Sequence, residues 1–158
     1  MKRPKPNLYV KILNIVSFVI IAGSFITVFV MWNSIPNQVP THFNFAGQID
    51  NYGDKIGILV FLCMGLFFYI FITIIYLIVK ALYTKFKVKE EDRKTIYQIT
   101  LVMLATLKTI AVIIFSVIAV FMMFSKPLPL WLFNIYPLLN IGTVIICLFL
   151  MYVKTKNK

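Results

Sequence analysis

Outside the basic tails, the side chains able to do chemistry gather in one short stretch, residues 33–56. It holds the sole histidine His42, the carboxylates Asp50 and Asp54, the amides Asn44, Gln48 and Asn51, and Lys55. His42 with Asp50 and Asp54 could hold a divalent cation only if water or amide oxygens completed the shell. The order Asp50-Asn51-Tyr52-Gly53-Asp54 lacks the spacing of a calcium loop. The plainer reading makes Asp50 a turn former, Asp54 a helix cap and His42 a surface residue, so no metal and no cofactor is expected. Nucleophilic catalysis has less to stand on. One histidine beside Thr41 makes no triad, and neither Gly-x-Ser-x-Gly nor His-Glu-x-x-His occurs. The expectation is a non-enzymatic protein that acts by binding.

The elements that must position this stretch are apolar. Of 158 residues, 61% are hydrophobic and 13% charged, with a mean hydropathy of +0.91. Soluble domains carry roughly half apolar and a quarter charged residues, so a water-soluble fold is excluded. Four runs, about 9–32, 56–79, 97–124 and 130–153, each exceed the ~20 residues needed to cross a hydrocarbon core. They lack the alternation of barrel strands, and spanning backbone must satisfy its own hydrogen bonds. The fold class is therefore an all-α integral membrane protein: a four-transmembrane-helix bundle forming a single membrane domain over 1–158, with an ordered loop at 33–56. The first run is too long for a signal-peptide core of about 7–15 residues and reads as a retained span.

A net charge of +11 suggests nucleic acid in a soluble protein, but here its placement decides. Lys2, Arg3, Lys5 and Lys11 precede the first run. Lys80, Lys85, Lys87, Lys89, Arg93 and Lys94 lie between the second and third, and Lys154, Lys156 and Lys158 close the chain. The alternate connections carry Lys55 and Lys126. This asymmetry predicts both termini in the cytoplasm (N-in/C-in) and the 33–56 loop outside. Trp32 and Trp131 then fall on the same outer face. No nucleic-acid partner is expected; the bilayer is. Cys63 and Cys147 read as small buried hydrophobes without a disulfide.

Within the loop, Pro36 and Pro40 set a stiff entry. Thr41 to Phe45 alternates as a short strand or interfacial segment would. Ala46-Gly47-Gln48 and Asp50 to Gly53 are turn signals, and Asp54 is placed to cap the second helix. Two residues inside the spans stand out. Lys108 is expected near the midplane, about 15–18 Å from the inner end. A charge there costs about 3 kcal/mol or more without a partner. Asn140, close to Pro137 and Gly142 in the fourth span, wants partners in lipid; the plain reading is a kinked helix against the bundle, and the sharper one a polar pocket under the loop shared with Lys108.

The loop resembles a bacterial membrane family, the domain of unknown function 1648. The matching residues are Val39-Pro40-Thr41-His42-Phe43-Asn44, Gly47, Asp50 and Gly53-Asp54-Lys55, covering about a third of the chain with the adjoining span ends. The resemblance implies a multi-pass protein of the bacterial cell membrane, with Pro40, Thr41, His42, Asn44, Gly47, Asp50, Gly53 and Lys55 as its binding residues. The same domain opens longer immunity proteins against the sporulation-delaying toxin. That implies a peptide toxin or another membrane protein as partner: either immunity to a membrane-active peptide or an accessory role in an envelope complex. The alternative reading is a small transporter or ion-linked protein using Lys108.

Overall fold

The computed structural model describes residues 4–85 and 88–156, without the side chains of residues 91 and 133. Lys2, Arg3, Lys87 and Lys158 of the basic clusters lie outside the described residues. Four long helices carry the structure: α1 (Leu8–Met31), α2 (Ile56–Ala81), α3 (Glu90–Met123) and α4 (Leu130–Lys156). All four are long and apolar enough to span a bilayer. Asn7 starts α1, its side-chain oxygen accepting from the Val10 N–H at 2.9 Å. α3 begins seven residues before the expected span, because Glu90 to Ile96 form a polar helical extension. It ends at Met123, two residues before Ser125, whose φ of 49° is left-handed, a common way to turn the chain off a helix.

α3 is the central rod, and α1, α2 and α4 all pack on it. α2 comes closest at Gly65, where an added Cβ would lie 2.9 Å from the Phe115 Cβ. Nearby the Phe68 and Phe115 rings stack at 5.6 Å. Toward the other end Val10, Tyr76, Tyr83, Tyr97 and Leu101 form one buried cluster. Ser24 donates to Ser116 at 2.8 Å between α1 and α3, so the hydroxyls of the first span serve helix packing. Cys147 is buried as expected, but Cys63 is exposed, on the side of α2 turned away from α3. Position on the helix face decides its burial, which residue type does not reveal.

The connection between α1 and α2 is a β-hairpin of strands β1 (Gln38–Phe43) and β2 (Ile49–Asp54). The expected turn at 50–53 is strand; the reversal falls at Asn44 to Gln48 instead. There Asn44 Oδ1 accepts from the Ala46 and Gln48 N–H groups at 2.9 and 3.0 Å. Gly47 takes the left-handed φ of 73° that glycine tolerates without cost. Because the Asn44 side chain supplies the turn's acceptor, the downstream Asp-Asn-Tyr-Gly is free to pair.

Register jumps from Pro40↔Tyr52 to His42↔Asn51, leaving Thr41 as a bulge. The bulge turns Thr41 onto two glycines. A Cβ at Gly53 would meet its methyl at 2.9 Å and one at Gly57 would meet it at 3.1 Å. Val39 is fully buried with Val28, Ile35, Ile58, Leu62 and Met122. The hairpin thus closes the end of the α1–α2–α3 group, and this seat is necessary, since an isolated two-stranded hairpin is at best marginally stable.

Gly53→Ala should destabilise the protein by about 1–3 kcal/mol, the range for forcing a methyl into a packed site. Adding Thr41→Ser, which removes the opposing methyl, should recover part of the loss. Unfolding of purified protein in detergent micelles measures both, and a Gly53→Ala protein as stable as its parent would refute the seat.

Candidate functional site

The hairpin sorts its residues into two groups. Pro40 and Gly47 are buried, and Thr41 and Gly53 form the seat described above. Asn44 spends its carbonyl oxygen on the turn, and Gly47 accepts at its own carbonyl from the Leu128 N–H at 2.8 Å. That bond ties the tip to the connection between α3 and α4. Lys55 reaches back to α1, donating to the Trp32 carbonyl at 3.2 Å with its ammonium 4.9 Å from the centre of the Trp32 ring. Asp54 Oδ1 accepts from the Ile56 N–H at 2.8 Å, taking the first N–H of α2 from one residue before the N-cap position, Lys55, whose side chain makes no cap. These residues build and hold the hairpin.

What the hairpin presents outward is different. His42 Nδ1 lies 2.6 Å from Asp50 Oδ1, both side chains open to solvent. A carboxylate only accepts, so Nδ1 carries the hydrogen and donates. Beside the pair, Phe43, Asn44 and Phe45 complete an open hollow of about 350 Å³. Phe43 also packs on the helix cores, whereas Phe45 is 99% exposed. His42 and Asp50 are brought together, and Asp54 is turned away to the Ile56 N–H. Among the described residues no group of three or more His, Cys, Asp or Glu converges as a metal site would require.

Lys108 has partners that composition alone did not name. Its ammonium donates to Asn14 Oδ1 of α1 at 2.5 Å and to Thr73 Oγ1 of α2 at 3.3 Å. It also stands 4.7 Å from the centre of the Tyr69 ring, within range of cation–π attraction. The residue is only 3% exposed. Asn14 and Thr73 both lie about 25 Å from the hairpin end of their helices and about 10 Å from the opposite end. The ammonium is therefore displaced from the midplane toward the N-terminal end of the bundle. The cause is side-chain direction: helical side chains lean toward their own N-terminus, and α3 starts at that end.

Asn140 is elsewhere. Its Nδ2 donates to the Tyr136 carbonyl of its own helix at 2.8 Å, and the space under the α3–α4 connection, about 270 Å³, is lined by Ile114, Phe115, Ile118, Leu128, Leu132, Tyr136 and Pro137. The sharper alternative, a polar pocket joining Lys108 to Asn140, does not form, and the plain reading of a packed helix stands. An intrahelical acceptor was within easier reach for the amide, and α4 packs on a face of α3 other than the one Lys108 uses.

With four spanning rods and an ordered hairpin across one end, the chain is a multi-pass protein of a bacterial membrane. Residues 19–66 match the family described as Domain of unknown function (DUF1648), an interval running from mid-α1 through the hairpin into α2. No curated protein and no solved structure matches the chain.

Replacing Asn14 by Leu leaves the Lys108 ammonium without its nearest acceptor and should cost about 2–3 kcal/mol, the scale of a hydrogen bond to a charged group. The double variant Asn14→Leu/Lys108→Met should regain most of that, because removing both members of a buried polar pair can be near neutral. Micellar unfolding of the single and double variants reads the coupling, and strictly additive losses would contradict it.

Proposed function

We propose that this chain is a non-enzymatic binding protein with both termini in the cytoplasm and the hairpin outside, where it engages a membrane-active peptide or a partner membrane protein. The observation that carries the reading is the division of the hairpin: Val39, Pro40, Thr41, Gly47 and Gly53 fasten it to the bundle, and His42, Asp50 and Phe45 face outward. A fully exposed phenylalanine next to a hydrogen-bonded His–Asp pair on a fastened hairpin is a recognition surface by its chemistry. Aromatic side chains, phenylalanine among them, are enriched at binding interfaces. The basic clusters at Lys80 to Lys94 and at the C-terminal end support the orientation through the positive-inside rule.

The residues give little support to transport. Lys108 already has an amide, a hydroxyl and a ring around it, and Asn140 is satisfied within α4. Its role in this reading is to join α1, α2 and α3.

Two measurements test the proposal. Alkaline phosphatase fused after Lys55 should be active and after Lys89 inactive; the reverse pattern removes the orientation. Expressing the chain in a sensitive bacterium should raise its tolerance to a membrane-active peptide at least fourfold, and substituting residues 43–50 with a Gly/Ser linker should abolish the gain. If tolerance is unchanged and no membrane protein co-purifies through the intact hairpin, the binding role fails.

A further inference from the structure

The hollow at the hairpin tip has a chemistry of its own. Its walls are Phe43, Asn44 and Phe45, and its polar group is the His42–Asp50 pair. Asn44 Oδ1 is engaged by two backbone N–H groups, which leaves Asp50 as the charged acceptor. His42 occupies Asp50 Oδ1 at 2.6 Å, and the Asp50 side chain is open to solvent, so Oδ2 is the oxygen a ligand would use. In either protonation state of the imidazole the pair is neutral or carries one negative charge, never a positive one. Two phenylalanines line the hollow, and aromatic rings attract cations. Lys55, the nearest base in sequence, is turned to the Trp32 carbonyl and ring on the other side of the hairpin. Asp54, the other carboxylate of the hairpin, is held by the Ile56 N–H.

The hollow also sits where an amphipathic ligand would pass. The Gly47–Leu128 bond brings the tip to the connection entering α4, whose first turn exposes Leu130 and Trp131. Tryptophan marks the headgroup layer, so an occupant would meet apolar surface and carboxylate together.

We propose that this hollow seats a primary ammonium group carried by an amphipathic cationic peptide at the membrane surface, with the ammonium on Asp50 Oδ2 and the apolar flank on Phe43 and Phe45. The proposal rests on the hairpin being the binding element and names the chemistry it selects.

The test uses the full chain in phosphatidylcholine nanodiscs. The probe is a fluorescein-labelled twelve-residue peptide of alternating lysine and leucine, compared with the same peptide bearing acetylated lysines, after subtraction of binding to empty nanodiscs. The lysine peptide should bind at least tenfold more tightly than its acetylated form. Asp50→Asn and Phe45→Ala should each weaken it at least tenfold, while Gln48→Ala, in the same loop but outside the hollow, should change it less than twofold. Both Asp50 and Phe45 are surface residues, and unchanged unfolding of the variants verifies that they fold.

If both peptides bind equally and Asp50→Asn is silent while Phe45→Ala weakens both, ammonium selection is overturned but the hairpin remains a binding element. Should neither peptide bind, or should all three variants bind alike, the seat itself is refuted, whatever the tolerance assay gives. Loss of peptide binding when phosphatidylethanolamine is added to the discs would assign the ammonium to a lipid headgroup and overturn the peptide as occupant.

Discussion

The contact between the Thr41 methyl and the two glycines facing it, Gly53 and Gly57, governs the hairpin end of this molecule. It holds because a bulge in β1 rotates Thr41 out of the ladder and onto the first turn of α2. Once Thr41 is seated, Val39 falls into the core formed by Val28, Ile35, Ile58 and Leu62. A short hairpin that would scarcely persist in water thereby becomes part of the bundle. The same rotation sends His42 and Asp50 to the opposite side, so fastening and presentation follow from one local irregularity.

At the other end the constraint is electrostatic. A lysine ammonium in lipid needs acceptors, and the nearby α3 hydroxyls of Thr106 and Thr109 are turned to carbonyls of their own helix. Asn14 and Thr73 come from two other helices. The charge therefore acts as a three-way junction: α1 and α2, which touch each other little, are both drawn to α3. Gly65 against Phe115 and Ser24 with Ser116 complete the junction through close approach and a hydroxyl bond.

Much of this architecture was readable from residue order. Run length and the scarcity of charge placed the four spans close to their helices except at the polar start of α3, and Asp54 announced the start of α2. The loop was harder. Asp50-Asn51-Tyr52-Gly53 has the composition of a turn, yet it is strand, because Asn44 makes the turn and Gly53 is needed small opposite Thr41. Hydropathy also hid Asn14, a single amide in a long apolar run. A usable signal existed: Asn14 lies as far before Met31 as Thr73 lies after Ile56, so antiparallel spans put both at one depth. Lys108, counted along α3 by its backbone, seemed deeper, since that count omits the lean of its side chain. Cys63 and Asn140 depend on which way each helix face points, and near-uniformly apolar helices give little periodicity from which to read it.

The hydrogen bond from Leu128 to the Gly47 carbonyl joins the hairpin tip to the connection entering α4, beside the packing of Phe43 on the Leu128 and Leu132 cluster. α4 leans on α3 along one side and contributes few buried residues, with Leu132 and Cys147 the main ones. Its entry is thus latched to the very loop that faces outward. A force lifting the tip would be felt first at the start of the fourth rod, giving an event outside the lipid a direct mechanical route into its interior.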